Sequence, residues 1–351
     1  MLYACLPAGR RHAKFWRRRM LVKFRLLSAN DVRQSLPMGE CIGLMKEAFA
    51  QLSSGRAHVP LRCPVPVPAH EGVTIFMPAY LEQSGDLGAK IVSVFPRNPK
   101  AGLPTIHAVV IVIDSTTGRP SALMDGTYLT ALRTGAASGA ATDLLARRDA
   151  RVVAIFGAGT QGRTQLEAVC TVRSITQVFV FDKERKLAER FVVEMGSRGA
   201  PIPKEIEIAS SPAEAVRRAD ILCTATTSTE PVFEGKELRP GTHINAVGAY
   251  TPQMQEVDAE TIRRAKVVID SRDASLAEAG DLIIPLKQGT ITEKHIHAEI
   301  GEIVAGRKPG RTSEEEITYF KSVGVAVQDV AAARRILEKA TELRLGTEVE
   351  L

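Results

Sequence analysis

Hydrophobic positions change their period along this chain, and each period predicts a different kind of structure. Ser28 to Asp31 offers the acceptor oxygens of a helix N-cap, and Ile42, Met45, Phe49 and Leu52 then recur on one helical face. Extended segments follow at Val73–Met77, Lys90–Phe95 and Thr105–Asp114. The last contains the apolar run Ala108–Ile113, too short for a typical helix and rich in β-branched residues. Asn98-Pro99, Gly102 and Thr117-Gly118 supply turns between them. From about Met20 to Ala140 the chain therefore reads as a mostly extended sheet with flanking helices.

The rhythm then shifts to alternating strands and helices. Val152–Phe156 reads as a buried strand, followed by a helix to about Val172. Val178–Phe181 is a second strand, and Lys183–Gly196 a second helix. Ile221–Ala225, Ile244–Val247 and Val267–Asp270 are further short apolar strands. Such alternation predicts an α/β fold, a doubly wound parallel sheet covered on both faces. Beyond about residue 305 only an extended piece, Ile317–Val323, and a helix, Val325 to Leu343, remain. That block is too short to stand alone and is expected to pack back onto one of the other two.

Composition narrows the function. The chain has 351 residues, 44% hydrophobic and 25% charged, which suits two globular domains. No run of 18 apolar residues occurs, so no membrane span is expected. The formal charge of +6 comes from residues 1–19, where Arg10, Arg11, Lys14, Arg17, Arg18 and Arg19 stand without an acid; without them, 40 basic residues face 40 acidic ones. A neutral body points away from nucleic acid as a partner. The leader lacks the apolar stretch of a secretory signal and is expected to be a disordered arm, or an artefact of an upstream start with Met20 as the real one. Five cysteines (Cys5, Cys41, Cys63, Cys170, Cys223), none in CxxC spacing, argue against zinc and disulfides and suit a reducing cytoplasm. His295 and His297, placed in an expected helix, would face different ways, so no metal site is expected there.

The candidate chemistry begins at the first parallel strand. Val152–Phe156 runs into Gly157-Ala158-Gly159-Thr160-Gln161-Gly162, a GxGxxG turn between a strand and a helix. Gly157 allows the tight turn, Gly159 a close approach to a pyrophosphate, and Gly162 close helix–strand packing. The helix start offers free N–H groups to phosphate. Asp182 closes the second strand, where an acid meets the ribose hydroxyls of a dinucleotide. A carboxylate there repels a 2′-phosphate, so NAD is expected over NADP, although Lys183 and Arg185 leave NADP possible.

With these motifs in place, the chain resembles the ornithine cyclodeaminase/mu-crystallin family. The resemblance runs from Met20 to about Leu343 through Gly88-Ala89-Lys90, Asn98-Pro99, Gly102-Leu103-Pro104-Thr105, Leu123-Met124-Asp125-Gly126, Thr130–Ala137, Gly157–Gly162, Ile244-Asn245-Ala246-Val247-Gly248 and Ser322-Val323-Gly324. It implies a Rossmann domain over 141–304 and a discontinuous α+β domain, 20–140 with 305–351, for substrate binding and homodimer formation. It also implies NAD(P)-dependent hydride transfer at Cα of a small amino acid or imine, of alanine dehydrogenase or ketimine reductase type. Lys90 would be catalytic. Arg62, Lys90, Arg133 and Val323 would face substrate. Thr105, Arg133, Thr134, Thr160, Gln161, Asp182, Thr226, Ala246, Val247 and Ser322 would contact the dinucleotide, with the three glycines.

The residues make chemical sense in those roles. Arginine grips a carboxylate with a two-pronged fork, and a lysine of lowered pKa among cations can move a proton at nitrogen. Arg133 lies in Thr130–Ala141, otherwise small and apolar, unlike a solvated face. One position departs from the family. Cyclodeaminases carry an aspartate after the Ile-Asn-Ala-Val-Gly strand, where this chain has Tyr250, and a lysine where it has Met254. A phenol, with a reference pKa of about 10, is a poor base near neutral pH. Ornithine cyclodeamination is thus the second reading, requiring another acid such as Glu256 or Asp258. A non-catalytic small-ligand binder is the third.

Overall fold

A computed structural model describes residues 23–350; the basic leader, Cys5 and the Met20 start lie outside the described residues. Strand β1 (Lys23–Leu27) leads to helix α1 (Ala29–Ser35), capped by Ser28 and Asp31 in a reciprocal capping box, and to α2 (Met38–Ser53). Strands β2 (Ala57–His58), β3 (Cys63–Val67), β4 (Gly72–Leu81), β5 (Asp86–Val94), β6 (Ile106–Asp114) and β7 (Pro120–Asp125) follow. Together with the last strand, β16 (Thr347–Glu350), they form a mostly antiparallel sheet in the order β16-β1-β7-β6-β5-β4-β2, with β3 also paired to β4.

Alternation sets the two faces of this sheet. Met77, Ala79, Leu81, Val110 and Val112 point inward and pack under α2 and α11 (Ala326–Glu342), with Met45, Phe49 and Val330 among their partners. Lys90 shares that inner face, directly between Met77 on β4 and Val110 on β6. The outer face leaves Val65, Phe76 and Val109 exposed.

Helix α3 (Gly126–Leu145) carries the chain to a second sheet. Most residues of this helix can be small because it is enclosed: the twelve from Ala131 to Thr142 are all buried. The second sheet is built from β8 (Val152–Phe156), β9 (Gln177–Phe181), β10 (Ile206–Ile208), β11 (Ile221–Thr224), β12 (His243–Ala246), β13 (Lys266–Ile269), β14 (Ile296–Glu299) and β15 (Thr318–Lys321). Its order is β10-β9-β8-β11-β12-β15-β13-β14, with every pairing parallel. Helices α4 (Thr160–Val172), α5 (Arg185–Gly196), α6 (Pro212–Arg218), α7 (Ala259–Arg264), α8 (Arg272–Glu278), α9 (Gly280–Lys287) and α10 (Ile300–Val304) complete it. Separate apolar clusters, one around Leu222 and Tyr319 and one around Ile155 and Phe191, line its two faces.

Two expectations need correction. The resemblance implies that 305–351 belongs as a whole to the first domain, yet β15 lies inside the parallel sheet between β12 and β13. All four of its residues are buried, including Lys321, because a central parallel strand is covered on both faces. The following helix α11 then returns to the first sheet. His295 and His297 do not share a helix: His295 ends a 3-10 turn and His297 lies in β14, where its Nε2 contacts the Pro309 carbonyl oxygen at 2.9 Å.

Candidate active site

The glycine turn closes β8 onto α4. Gly157 has φ of 97°, a left-handed conformation, and a Cβ there would stand 2.5 Å from the Ala225 carbonyl oxygen. A Cβ on Gly162 would lie 2.1 Å from the oxygen of Gly157, so this helix can approach the strand only with glycine at that place. Gly159 differs, since no atom of the described residues lies within 4 Å of where its side chain would start. It is also the N-cap of α4 and supplies no side-chain acceptor, so the first-turn N–H groups at Thr160 and Gln161 face outward without a cap. Gln161 Oε1 is buried with no hydrogen-bond partner among the described residues. An open glycine, an uncapped helix start and an orphaned amide oxygen fit a dinucleotide whose pyrophosphate sits on this turn.

A cleft of about 860 Å³ extends from the turn, lined by Gly157, Gly159, Asp182, Lys183, Leu187 and Thr226 among others. Asp182 stands at its edge and also braces the turn: Oδ2 accepts from Ala158 N at 2.8 Å, and Oδ1 from Glu184 N at 2.9 Å. On the far side, Thr226 donates from its backbone N (2.6 Å) and Oγ1 (2.9 Å) to Glu256 Oε1. Ala246 and Val247 end β12, where Val247 N bonds to Thr224 O and Ala246 O receives Ser322 N. Ser322 Oγ donates to Asp270 Oδ2 at 2.8 Å, the same oxygen that receives the backbone N of Val323 and Gly324. Thr134, next to Arg133 on α3, is buried, and its Oγ1 donates to Thr130 O. Thr105 is half-buried beside β6, its carbonyl receiving Phe95 N; it shares no hydrogen bond with the other predicted site residues.

Between the two sheets the structure gathers the charged residues. Lys90 rises from β5 with 2% of its surface exposed, and its Nζ lies 2.9 Å from Asp329 Oδ2. Arg133 comes down from α3; its Nε donates to Asp329 Oδ1 at 2.9 Å and its Nη1 to Gln328 Oε1 at 2.9 Å. Gly324 packs against the Arg133 guanidinium, with room for no side chain. Arg62 enters from the segment before β3 and pairs with Glu278 at the end of α8. Burial, aided by Arg133 and Arg62, pulls the Lys90 pKa down to about 8, against the opposing pull of Asp329. Burial also lowers that of Arg62, with Asp270 and Asp329 opposing it.

A pocket of about 250 Å³ adjoins this cluster, walled by Leu52, Val59, Leu61, Met77 and Val325 and bordered by Arg62, Glu278 and Gly324. Most of the lining is apolar, with Ser271, Asp273 and the paired Arg62 and Glu278 as its polar part, and the Arg133 guanidinium lies against Gly324 at its border: two guanidinium groups stand where they can hold a carboxylate. Tyr250 is half-buried, packed against the apolar cluster that includes Leu222 and Tyr319. Neither alternative acid is free. Glu256 is fully buried under five donors, and Asp258 caps α7 through Thr261 and receives Gly235 N.

Sequence reasoning missed Asp329, Gln328, Glu278 and Asp270. A signal existed for the first two: Gln328-Asp329 interrupts the apolar run Val325–Ala333, as Arg133 interrupts α3. Glu278 and Asp270 carry ordinary capping or surface patterns in sequence.

Comparison with known proteins agrees with this geometry. The profile of the ornithine cyclodeaminase/mu-crystallin family matches residues 22–344. The chain is 40% identical to a Δ1-pyrroline-2-carboxylate reductase of Bacillus cereus over 93% of its own length and 99% of that protein's. The structure of Thermococcus litoralis Δ1-pyrroline-2-carboxylate reductase in complex with NADH and L-proline superposes with a TM-score of 0.89 at 48% identity, covering 93% of this chain and 100% of that one. An archaeal alanine dehydrogenase dimer with bound NAD superposes with a TM-score of 0.86 at 38% identity, covering 93% and 99%.

Proposed function

We infer that this chain, which belongs to the ornithine cyclodeaminase/mu-crystallin family, reduces a small cyclic imino acid of the Δ1-pyrroline-2-carboxylate kind. Its reaction class is NAD-dependent hydride transfer at the α-carbon of a small amino or imino acid. The observation that carries the substrate reading is the buried Lys90–Asp329–Arg133 cluster beside an apolar pocket.

Bound NADH supplies the hydride. Arg133, with Arg62, holds the substrate carboxylate and orients the C=N bond. Lys90 donates a proton to nitrogen as the α-carbon gains its hydrogen, so the π pair ends as an N–H bond. A lysine near pH 8 is poised for that exchange in either direction. Val323 and the pocket's apolar wall contact the substrate ring. The glycines Gly157, Gly159 and Gly162 with Thr160, Gln161 and Asp182 hold the adenosine and pyrophosphate side. Thr105, Thr134, Thr226, Ala246, Val247 and Ser322 hold the remainder.

Cyclodeamination fits less well, because Tyr250 offers no carboxylate and Glu256 and Asp258 are engaged elsewhere. The assay is NADH absorbance with Δ1-pyrroline-2-carboxylate, with pyruvate plus ammonia, and with ornithine plus NAD. The cyclic imine is expected to consume NADH fastest and yield proline. Proline from ornithine without net change in NADH would reject the reading.

The α+β unit would serve substrate binding and dimer formation, and the parallel-sheet unit dinucleotide binding. The exposed apolar face of Val65, Phe76 and Val109 supports a homodimer built on the first sheet. Cys41, Cys63, Cys170 and Cys223 are free thiols, which supports a reducing, cytoplasmic setting. No described helix is long and apolar enough to cross a membrane.

A further inference from the structure

We propose that Asp329 is a positioning residue for the reaction: it keeps Lys90 in its ammonium form and turns the outer edge of Arg133 toward the substrate carboxylate. This rests on reading Lys90 as the proton donor.

The geometry is specific. Asp329 lies in the first turn of α11, wholly buried, and its two oxygens take one cation each. Oδ1 receives Arg133 Nε and Oδ2 faces Lys90 Nζ, both at 2.9 Å. Its neighbour Gln328 takes Arg133 Nη1 at 2.9 Å, and the same Gln328 oxygen receives Val325 N. With Nε and one Nη1 hydrogen engaged, the guanidinium keeps one Nη1 hydrogen and both Nη2 hydrogens. Those are the hydrogens a two-pronged grip on a carboxylate uses.

The charge balance explains why an acid is needed. The charged groups around Lys90 are Arg133 on α3, Arg62 from the segment before β3, and Asp329 on α11; its strand partners Met77 and Val110 carry none. Burial and both arginines favour the neutral amine, and among the described residues Asp329 is the group opposing them. A neutral amine cannot donate the proton that imine reduction requires. Asp329 also leaves the Lys90–Arg133 pair one positive charge in excess, matched by one substrate carboxylate.

Asp329→Asn keeps the shape and removes the charge. In NADH-dependent reduction of Δ1-pyrroline-2-carboxylate, wild-type kcat/KM falls as pH rises through the lysine's titration. The variant is expected to move that alkaline limb down by about one pH unit or more, the shift an opposite charge at contact distance supports. KM for the imine should also rise as Arg133 loses its brace. Asp329→Glu, which retains the charge, should bring the limb back toward wild type. An unmoved limb in an active Asp329→Asn enzyme overturns the proposal, whereas a wild type with no turnover overturns the imine reading instead. A double-mutant cycle with Lys90→Met, read by melting temperature, needs no substrate and also serves if Asp329→Asn folds poorly. A smaller loss from Asp329→Asn in the Lys90→Met background supports the pairing, and additive losses overturn it.

Discussion

Replacing Glu256 with Gln should loosen the cofactor cleft from behind. Glu256 links the ends of the two central strands: Oε1 takes Thr226 N (2.6 Å) and Thr226 Oγ1 (2.9 Å), while Oε2 takes Thr224 Oγ1 (3.0 Å), Gly248 N (2.7 Å) and Ala249 N (3.1 Å). Glutamine must turn its NH2 toward one of these sets. Facing Oε2's partners, it would confront two backbone donors that cannot reverse. Facing Oε1's partners, it confronts one, because the Thr226 hydroxyl can rotate to accept. The cheaper placement leaves the Thr226 N–H buried and unpaired, at about 1–3 kcal/mol, and downgrades the remaining bonds from charged to neutral.

Two effects run against each other beyond that. Removing the charge relieves its burial and the repulsion of Asp281, both of which raise the Glu256 pKa, but it takes a counter-charge from Lys321. The donors outnumber what relief can offset, so a net loss of about 2–4 kcal/mol is expected. Thr226 lines the cleft, so its release should also weaken NADH by about 5-fold, roughly one hydrogen bond. Thermal melting with and without saturating NADH, and NADH titration by fluorescence, measure both. Melting within about 0.5 kcal/mol of wild type, with unchanged NADH affinity, would falsify the anchoring role.

Two further outcomes rest on contacts elsewhere around the parallel sheet. Asp182→Ala should weaken NADH and narrow any preference over NADPH, and it should also lower the melting temperature, because Ala158 N and Glu184 N lose their acceptor; tighter binding of NADPH than NADH by the wild type would reject the ribose assignment. His243 is buried beside Thr318 and Asn245, and burial lowers its pKa from 6.5 to about 3. The unfolded chain therefore binds the extra proton between those values, and stability falls as pH drops below 6.5 by up to about 1.4 kcal/mol per unit from this group. His243→Asn should flatten that acid slope in denaturant titrations between pH 6.5 and 5; an unchanged slope would assign it elsewhere.

The parts legible in sequence are those governed by local rules. The α4 turn, the helix over α11 and the strands β8, β9, β11 and β12 follow from periodicity and glycine placement. Strand order is a different matter. The extended piece Ile317–Val323 carries a lysine and no sign of its place in a sheet, but Lys321 Nζ meets Asp281 Oδ2 at 2.7 Å inside the protein, and that pairing lets the strand run through the centre. Nothing near residue 321 announces a partner 40 positions earlier.

The active-site cluster shows the same limit more sharply. Arg133 was legible because a charge amid small apolar residues cannot be solvated, and a buried guanidinium must find an anion. That argument required an acid but could not choose among 40. The choice comes from topology. Lys90 lies mid-strand on the inner face of the first sheet, Arg133 descends on the helix joining the sheets, and β15 delivers its chain to that junction before α11 turns back. The first turn of α11 thereby sets Asp329 beside both cations, 196 residues from Arg133. The acid belongs at a helix start for a local reason as well: a carboxylate in the first turn is favoured by the helix dipole. The polar pair Gln328-Asp329 in an apolar run was the trace of this arrangement, and it gains meaning only once the strand before it is known to lie in the other sheet.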